Sequence, residues 1–362
     1  MMKTTKFIAA LFAISLLFIG CDREDDDTEQ MVETSETMRH MGEAIIAPAY
    51  AEWNLSSSGL HNAALSFTDT PEQQTLSDLR VALKENWIDW QYCSPFEFGP
   101  AYTLELRANT NTFPADVEDI QLRIEADDNP QSADERGYPS IDFLINGVAE
   151  SDQEIIDLFT SDGLAGKRKS YLLKLTQKIR DNAISVSSEW NNGYIDDFAQ
   201  NTGTQAGSAL SLLVNELNKD YEMIKRERIA LPLGLLTLGM PLPDRCEAYY
   251  GGYSAELAHE HMLAIVETYK GGDGRGLDDL LNDAEAFHQP SNQLLDEAIQ
   301  EQMNSGLAQL EGLPDPLSAT IEQEPATVEE CYDELQALVV LLKTDMPSAL
   351  GVSITFTDND GD

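Results

Sequence analysis

The sequence contains few basic residues for its length. Only 23 of its 362 residues are lysine or arginine, whereas 64 are aspartate or glutamate, which gives a formal net charge of -41. A surface of this charge repels phosphate backbones and anionic lipids. Nucleic acid is therefore excluded as a partner, whereas cations and basic proteins are not. High solubility alone would also account for so many acidic residues.

The common short motifs of catalytic and metal sites are also missing. The chain has 4 cysteines and no CxxC pair, which argues against structural zinc. The HExxH zinc motif, the G-x-S-x-G nucleophile motif and the P-loop are absent. His259 and His261 look like a ligand pair, but residues two apart on a helix point to nearly opposite faces. We therefore expect His261 on the buried side of one helix and His259 on its wet side.

The amino terminus predicts export. Lys3 and Lys6 precede an apolar run, Phe7–Ile19, which is too short to span a bilayer. The small residue directly before Cys21 resembles the end of a bacterial lipobox. That resemblance implies a lipoprotein signal peptide in residues 1–20 and lipid attachment to Cys21. An ordinary secretory signal is the alternative.

An acidic tether is predicted directly after the signal peptide. Residues 21–30, CDREDDDTEQ, have the composition of a solvated linker. With lipid on Cys21, at most one disulfide can form among Cys93, Cys246 and Cys331. The lipid would place the chain in the cell envelope as an outer-membrane lipoprotein, either periplasmic or surface-exposed.

Helical periodicity dominates the rest of the chain, and alternating strand patterns are almost absent. Apolar residues recur at steps of three and four, which predicts amphipathic helices. The predicted helices are Met38 to about Ser66 with a kink at Pro48, Leu76 to about Tyr92, Tyr171–Trp190, Ala206–Ile224, one capped by Ser254 and reaching Tyr269, one capped by Ser291 and reaching Leu310, and Val328–Leu342, stopped by Pro347. We therefore predict an all-α protein with helical-bundle domains in residues 31–190 and 191–362.

Two long segments interrupt this pattern. The first, Phe96–Arg136, is a connection of roughly forty residues, far longer than ordinary loops. The second, Arg228–Arg245, contains three prolines that forbid a continuous helix, yet it is mostly apolar. A loop of this composition is unfavourable in water, so we expect it to be buried between the two bundles.

Several stretches, in a fixed order, carry a resemblance to a known family. They are WIDWQYCSPFEFGPA, NTFP, GYPSIDFL, IALPLGLLTLGMPLPDRCEAYYGGYS and the ending VVLLKTDMPSALGVSITFTDNDGD. Together they resemble the imelysin-like family, also called peptidase M75 or insulin-cleaving membrane protease, and the last two resemble its lipoprotein branch. The resemblance implies an all-helical, two-domain fold with a functional site at the domain interface. It also implies an association with bacterial iron or haem uptake.

The GxHxxE signature of that family is altered in this sequence. In GYPSID, Gly137 keeps the glycine, Pro139 takes the histidine position and Asp142 takes the glutamate position. Proline offers neither a metal-binding nitrogen nor a proton to transfer, so the His-Glu pair of a metallopeptidase is not available. Asp142 can still accept hydrogen bonds or bind a hard cation weakly. It can equally well cap a helix or hold the long loop in place.

Five residues are candidates for ligand binding, and none is predicted to be catalytic. Gly137 and Asp142 come from the altered signature. Glu97 lies in the long loop, where an acid that faces a cleft has little reason to be packed. Trp90 and Asp116 are further candidates, although Trp90 fits a core position equally well. The sequence does not identify metal ligands.

Three functions remain open at this stage. The leading hypothesis is a lipid-anchored, non-catalytic imelysin-like protein that binds iron, haem or a partner in the cleft between its domains. One alternative is an M75-type metallopeptidase, against which Pro139 argues. The other is an interaction module of a surface complex, whose acidic face meets a basic partner. The resemblance implies a TonB-dependent receptor or another envelope protein as that partner.

Overall fold

The computed structural model describes residues 33–356. Its regular structure is almost entirely helical, which confirms the predicted all-α class. The helices are α1 (residues 33–40), α2 (Ala47–Asp69), α3 (Gln73–Gln91), α4 (Pro100–Thr103), α5 (Leu106–Thr110), α6 (Val117–Ala126), α7 (Tyr138–Asp142), α8 (Asp152–Thr160), α9 (Ala165–Glu189), α10 (Ile195–Gln200), α11 (Ala209–Met223), α12 (Leu231–Leu233), α13 (Ser254–Lys270), α14 (Leu277–Asp283), α15 (Leu295–Glu311), α16 (Leu317–Gln323), α17 (Pro325–Val340) and α18 (Met346–Ala349). Two short antiparallel strands, β1 (Phe287–His288) and β2 (Gln293–Leu294), form one hairpin.

Wider π-type turns and short 3-10 turns join several of these helices. The π turns are Met41–Ile46, Phe143–Gly147, Trp190–Tyr194, Ile224–Ala230 and Leu341–Asp345, and the 3-10 turns are Ser94–Phe96, Ala133–Glu135 and Pro243–Arg245. Pro48, Pro232 and Pro347 are each the second residue of the helix that follows a π turn. Because proline cannot donate a backbone N–H, the helix widens ahead of it and then continues. The kink expected at Pro48 is the π turn that precedes α2. The prediction that Pro347 ends the last helix is wrong, because helical structure continues to Ala349.

Helix α9 illustrates how the apolar stripes produce the fold. Tyr171, Leu175, Ile179 and Val186 lie on one face of this helix, and all four are buried. Helices α11, α13, α15 and α17 bury one face in the same way. Burial of these stripes, rather than intrinsic helix propensity, supplies most of the stability of such helices.

Two groups of helices pack around the core. Helix α2 packs against α3 and α9, whereas α13 packs against α15, which in turn packs against α17. Contacts between α3 and α13 join the two groups. One continuous apolar cluster runs through both, from Met38 to Val352. Because both groups share this cluster, it marks no domain boundary. The predicted division between residues 190 and 191 stays a prediction.

Three predicted helix starts lie elsewhere. Helix α11 begins after Ser208, so Ala206 is outside it and exposed. Ser291 lies in the hairpin turn before α15 and does not cap that helix. Ser254 is the first residue of α13 rather than its cap. The carboxylate of Asp315 instead accepts the first N–H groups of α13, at 2.8 and 3.0 Å.

The apolar segment Arg228–Arg245 differs most from its prediction. Its base is buried at Pro232 and Leu233, but the tip that follows is exposed. The expected burial between two bundles is therefore wrong for the tip. Hydrophobic composition alone did not show which part of the segment faces the core.

Three cysteines lie within the described range, and all are buried and free. They are Cys93, Cys246 and Cys331. Burial raises the pKa of each thiol, to about 12 for Cys246 and Cys331. These thiols are therefore protonated at neutral pH, and no disulfide joins them.

The predicted membrane attachment rests on the amino terminus. The signal peptide, Cys21 and the acidic tether all lie outside the described residues. Within residues 33–356, no helix combines the length and the apolarity that a bilayer span requires.

Candidate ligand-binding cleft

An open cleft of about 1070 Å³ lies between a loop and a helix. One wall is the irregular segment from Glu97 to Phe113, which includes α4 and α5. The other wall is one face of α11 and of the π turn after it, formed by Lys219, Glu222, Met223, Arg226 and Glu227. These positions follow the helical repeat, so their side chains share one face. Ligand cavities typically hold about 300–1,000 Å³, and this cleft therefore has room for an organic molecule.

Glu97 is the one described candidate residue that lines this cleft. Its carboxylate oxygens accept the backbone N–H of Arg107 at 3.0 and 3.2 Å. Burial raises the pKa of Glu97 to about 7, although the nearby Arg107 guanidinium acts in the opposite direction. At neutral pH the group is therefore partly protonated. It can donate a hydrogen bond to a ligand in one form and accept one in the other.

Arg107 connects the cleft to a buried ionic cluster. Its Nη2 donates to the Ser94 carbonyl at 2.8 Å, to Asp220 at 3.2 Å and to Glu216 at 3.3 Å. Asp220 is fully buried, accepts from Ser94 Oγ at 2.6 Å and contacts His261 Nε2. Burial by itself would raise the pKa of Asp220. The charges and hydrogen bonds of its partners outweigh burial and lower that pKa to about 2, so Asp220 is ionised.

The two histidines of α13 face opposite sides, as predicted. His261 is fully buried, whereas His259 is partly exposed. Burial lowers the pKa of His261. Nε2 contacts the ionised Asp220 carboxylate as a donor, and Nδ1 lies on the other side of the ring. That buried Nδ1 has no hydrogen-bond partner in the part of the chain that the structure describes.

A second buried ion pair joins Arg228 to Glu247. Arg228 Nε and Nη2 donate to the carboxylate at 2.6 and 3.1 Å, and both side chains are buried. The same carboxylate accepts from Asn111 Nδ2 at 2.6 Å, and from Trp87 Nε1 and Gln91 Nε2 at 3.1 Å each. Glu247 lies in the loop before α13, and its partners come from α3, from the segment after α5 and from the π turn after α11. Because Asn111 lines the cleft, the ion pair supports its wall.

The cleft can bind a ligand by two kinds of contact. Tyr102, Phe113 and Met223 provide aromatic and apolar surface, and charged side chains of both signs stand beside them. Glu97 and Arg107 are held in position by their buried partners. Among residues 33–356, no three His, Cys, Asp or Glu side chains converge closely enough to hold a metal ion.

The acid of the altered signature does not line this cleft. Asp142 Oδ2 accepts the N–H groups of Tyr250 and Gly251 at 3.0 and 3.2 Å, and Oδ1 accepts from Asn146 Nδ2 at 2.8 Å. Burial raises the pKa of Asp142 to about 6, although these three hydrogen bonds oppose the shift. The cavity beside it measures only about 20 Å³. In this structure Asp142 ties the loop before α13 to helix α7.

The other three candidates also have local structural contacts. Gly137 has φ +80°, and a Cβ there would lie 2.2 Å from the carbonyl oxygen of Thr110, so only glycine fits. Trp90 is fully buried in the core. Asp116 caps α6, because its Oδ1 accepts the N–H of Asp119 at 3.0 Å. A ligand-binding role for these residues stays a prediction.

The sequence-based predictions missed the charged residues of the two buried clusters. These are Arg107, Asp220, Arg228 and Glu247. A signal existed for Asp220, which lies three residues after Leu217 and four before Ile224, on the buried stripe of α11. An acid at such a position requires a buried partner. The identity of that partner depends on the tertiary fold.

Known proteins resemble the chain over most of its length. Iron-regulated protein A of Synechococcus elongatus is 20% identical over 313 residues, which are 85% of this chain and 82% of that protein. A crystal structure of an imelysin-like protein from Psychrobacter arcticum matches with a TM-score of 0.69 at 19% identity, covering 90% of this chain and 98% of that one. A crystal structure of an iron-regulated protein A precursor from Parabacteroides distasonis matches with a TM-score of 0.73 at 15% identity, covering 89% and 95%.

The two crystal structures share the fold of this chain, and at these identities the likeness extends to the fold alone. Family membership rests on an independent match to a family model. Residues 46–344 match the Imelysin profile, Peptidase M75. Asp142 and the cleft residues from Glu97 to Glu227 fall within this range. The chain belongs to the imelysin family.

Proposed function

We propose that this chain is a lipid-anchored envelope protein that binds a ligand in the cleft between Glu97–Phe113 and α11. In this proposal it supports iron or haem acquisition and does not hydrolyse peptides. Two similar proteins are named iron-regulated protein A or its precursor, which supports the link to iron. The cleft is the observation that carries the proposal, because its open volume is lined by charges that buried partners hold in place.

Haem or an iron chelate suits this cleft better than a bare ferric ion. A bare cation needs several ligand atoms that converge at about 2.0–2.6 Å, and the described side chains offer no such group. Haem and organic chelates bring their own iron ligands and present apolar surface and carboxylates. Tyr102, Phe113 and Met223 can pack against that surface. Lys219 can pair with a ligand carboxylate.

The contacts of Asp142 support a binding protein rather than an M75-type peptidase. Three N–H groups already use its two oxygens, and its neighbour Pro139 cannot ligate a metal. A peptidase would require a different set of metal ligands. Metal-dependent cleavage of a peptide library by the purified chain, abolished by a chelator, would contradict this part of the proposal.

Ligand titration tests the binding proposal. The full chain, kept in detergent, is titrated with haem and separately with ferric citrate, and binding is followed by calorimetry and absorbance. We expect saturable binding of at least one probe. The Lys219→Ala, Met223→Ala double variant should bind about tenfold more weakly, because the loss of one charge-assisted contact is worth about 1.4 kcal/mol.

The matched control for that titration is Ser151→Ala. This variant removes the side-chain cap of α8, which does not line the cleft, and should leave the affinity unchanged. Saturable binding of neither probe would contradict the proposal. An equal loss of affinity in the control variant would also contradict it, because binding would then depend on overall stability rather than on the cleft.

A partner protein belongs to the same proposal. A TonB-dependent receptor or another envelope protein would deliver the ligand or receive it. The net charge of -41 favours a basic docking surface on that partner. Co-purification of one envelope protein that is lost at high salt would support this interaction.

A further inference from the structure

The loop after α12 exposes four large apolar side chains within six residues. Leu235 is 39% exposed, Leu236 46%, Leu238 101% and Met240 64%. The other exposed large apolar residues of the described range occur singly along the sequence, as they do on most soluble surfaces. A concentrated group of this kind marks an interaction surface. We call Leu235–Met240 the apolar loop.

The backbone of the apolar loop is fixed by its own hydrogen bonds. The N–H groups of Gly239 and Met240 donate to the carbonyls of Gly234 and Thr237 at 3.0 and 3.2 Å. The Thr237 hydroxyl donates to the Met240 carbonyl at 2.5 Å. Leu238 has φ +57°, in the left-handed region that residues with a Cβ usually avoid. The fold therefore holds the most exposed side chain outward in a strained conformation, which is typical of functional positions.

The same loop carries no charge. No charged residue occurs from Ile229 to Leu242, although 24% of the chain is charged. The only polar side chain in this stretch is Thr237, and its hydroxyl is bonded to the backbone. A segment that enters hydrocarbon must carry its backbone hydrogen bonds with it and must lack charge. The apolar loop lacks charge, and the N–H groups of Leu235, Thr237, Gly239 and Met240 donate to carbonyls between Ala230 and Thr237.

We propose that the apolar loop inserts into the surface of a zwitterionic lipid bilayer. A chain with a net charge of -41 is repelled by anionic lipid, so the attraction must come from burial of apolar side chains. Insertion would also orient the cleft. Glu227, which lines the cleft, lies in the same π turn as Ala230, whose carbonyl accepts the N–H of Leu235 at 3.0 Å.

A short segment separates the proposed lipid from the described range. Residues 22–32 lie between Cys21 and the first described residue, and a fully extended chain of that length spans roughly 40 Å. A lipid on Cys21, as proposed above, would therefore hold the described part of the chain near a bilayer. The insertion itself does not depend on ligand binding, so a failed haem or iron titration would leave it unaffected.

Tryptophan fluorescence provides a direct test, because the native tryptophans are buried. Trp53, Trp87, Trp90 and Trp190 are each 0% exposed. The full-length Leu238→Trp variant is reconstituted into phosphatidylcholine vesicles with or without brominated acyl chains. We expect bromine to quench the added fluorescence roughly twofold, because interfacial segments reach about 5–10 Å into the headgroup and acyl boundary.

Two further variants complete the experiment. Leu236→Trp places the probe in the same loop outside the left-handed region, in case Leu238→Trp disturbs the fold. Leu55→Trp, on the exposed face of α2, is the matched control. Any membrane contact of residues 1–32 is the same in all three variants. Quenching in the loop variants but not in the control supports the proposal.

Three results would overturn the proposal. They are no quenching in either loop variant, equal quenching in Leu55→Trp, and a blue shift of the loop probe with protein concentration in the absence of vesicles. The last result would show that a second copy of the chain covers the loop.

Discussion

Two buried acids of this protein lie in opposite surroundings. The oxygens of Asp142 accept three N–H groups beside a cavity of about 20 Å³. Glu97 accepts the N–H of Arg107 and lines a cleft of about 1070 Å³. Burial raises the pKa of both acids, so the pKa shift does not separate a structural acid from a binding acid. Open volume and uncommitted oxygen lone pairs do separate them.

The comparison also separates the family signature from the proposed binding cleft. In this chain the signature position, with Pro139 and Asp142, joins helix α7 to the loop before α13. The cleft is built from other segments, whose charged residues are held by two ionic clusters. In this structure the signature position makes structural contacts, whereas the proposed binding cleft lies elsewhere.

The largest expected effect comes from breaking the ion pair that supports the cleft. Glu247→Ala leaves the Arg228 guanidinium buried without its carboxylate, and we expect the free energy of unfolding to fall by about 3–5 kcal/mol. Chemical denaturation of the full chain, followed by circular dichroism, measures the loss. The Arg228→Met, Glu247→Leu double variant should recover much of it, because apolar pairs often replace buried ion pairs at little cost. Equal losses in the single and double variants would contradict this account.

A smaller effect is expected from Asp142→Ala. This change leaves the part-buried N–H groups of Tyr250 and Gly251 without an acceptor, which should lower the free energy of unfolding by about 1–3 kcal/mol. Asp142→Asn keeps a carbonyl acceptor and should lose less. The ligand affinity of the folded protein should not change in either variant. If Asp142→Ala instead abolished ligand binding at unchanged stability, Asp142 rather than Glu97 would be the ligand-binding acid.

The smallest effect is expected from Glu97→Gln, and it depends on pH. The pKa of Glu97 in the folded protein is about 7, above its ordinary value of 4.5. The stability contributed by this group is therefore complete below pH 4.5 and is lost as the pH rises through 7. Glutamine does not titrate, so the variant should gain about 2 kcal/mol relative to the parent between roughly pH 5 and 8. Denaturation at several pH values measures that difference. A constant difference would refute the predicted pKa shift.

The fold class was predictable from local patterns. The repeat of apolar residues in α9 depends only on sequence spacing, and so does the opposite placement of His259 and His261. Features that depend on distant segments were not predictable in this way. Ser254 is a sound cap by local rules, yet Asp315 occupies that role from a different part of the chain.

The candidate site was predictable only in part. Glu97 lines a cleft, although it is buried and bonded to the Arg107 N–H, and its role in ligand binding stays a prediction. The ionic clusters were not found, since their members are separated by up to 160 positions, as Trp87 and Glu247 are. The apolar loop was assigned to the core from its composition. Its exposure follows from turn geometry around Leu238, which spacing does not encode.

The three free thiols have a practical consequence for measuring motion in the cleft. Cys93, Cys246 and Cys331 are enclosed and protonated, so maleimide reagents should react with them slowly. With lipid on Cys21, as proposed, cysteines introduced at Thr103 and Glu227, on the two walls, could then carry spin labels or a cross-linker while the native thiols stay in place. The distance between the walls would become measurable with and without ligand.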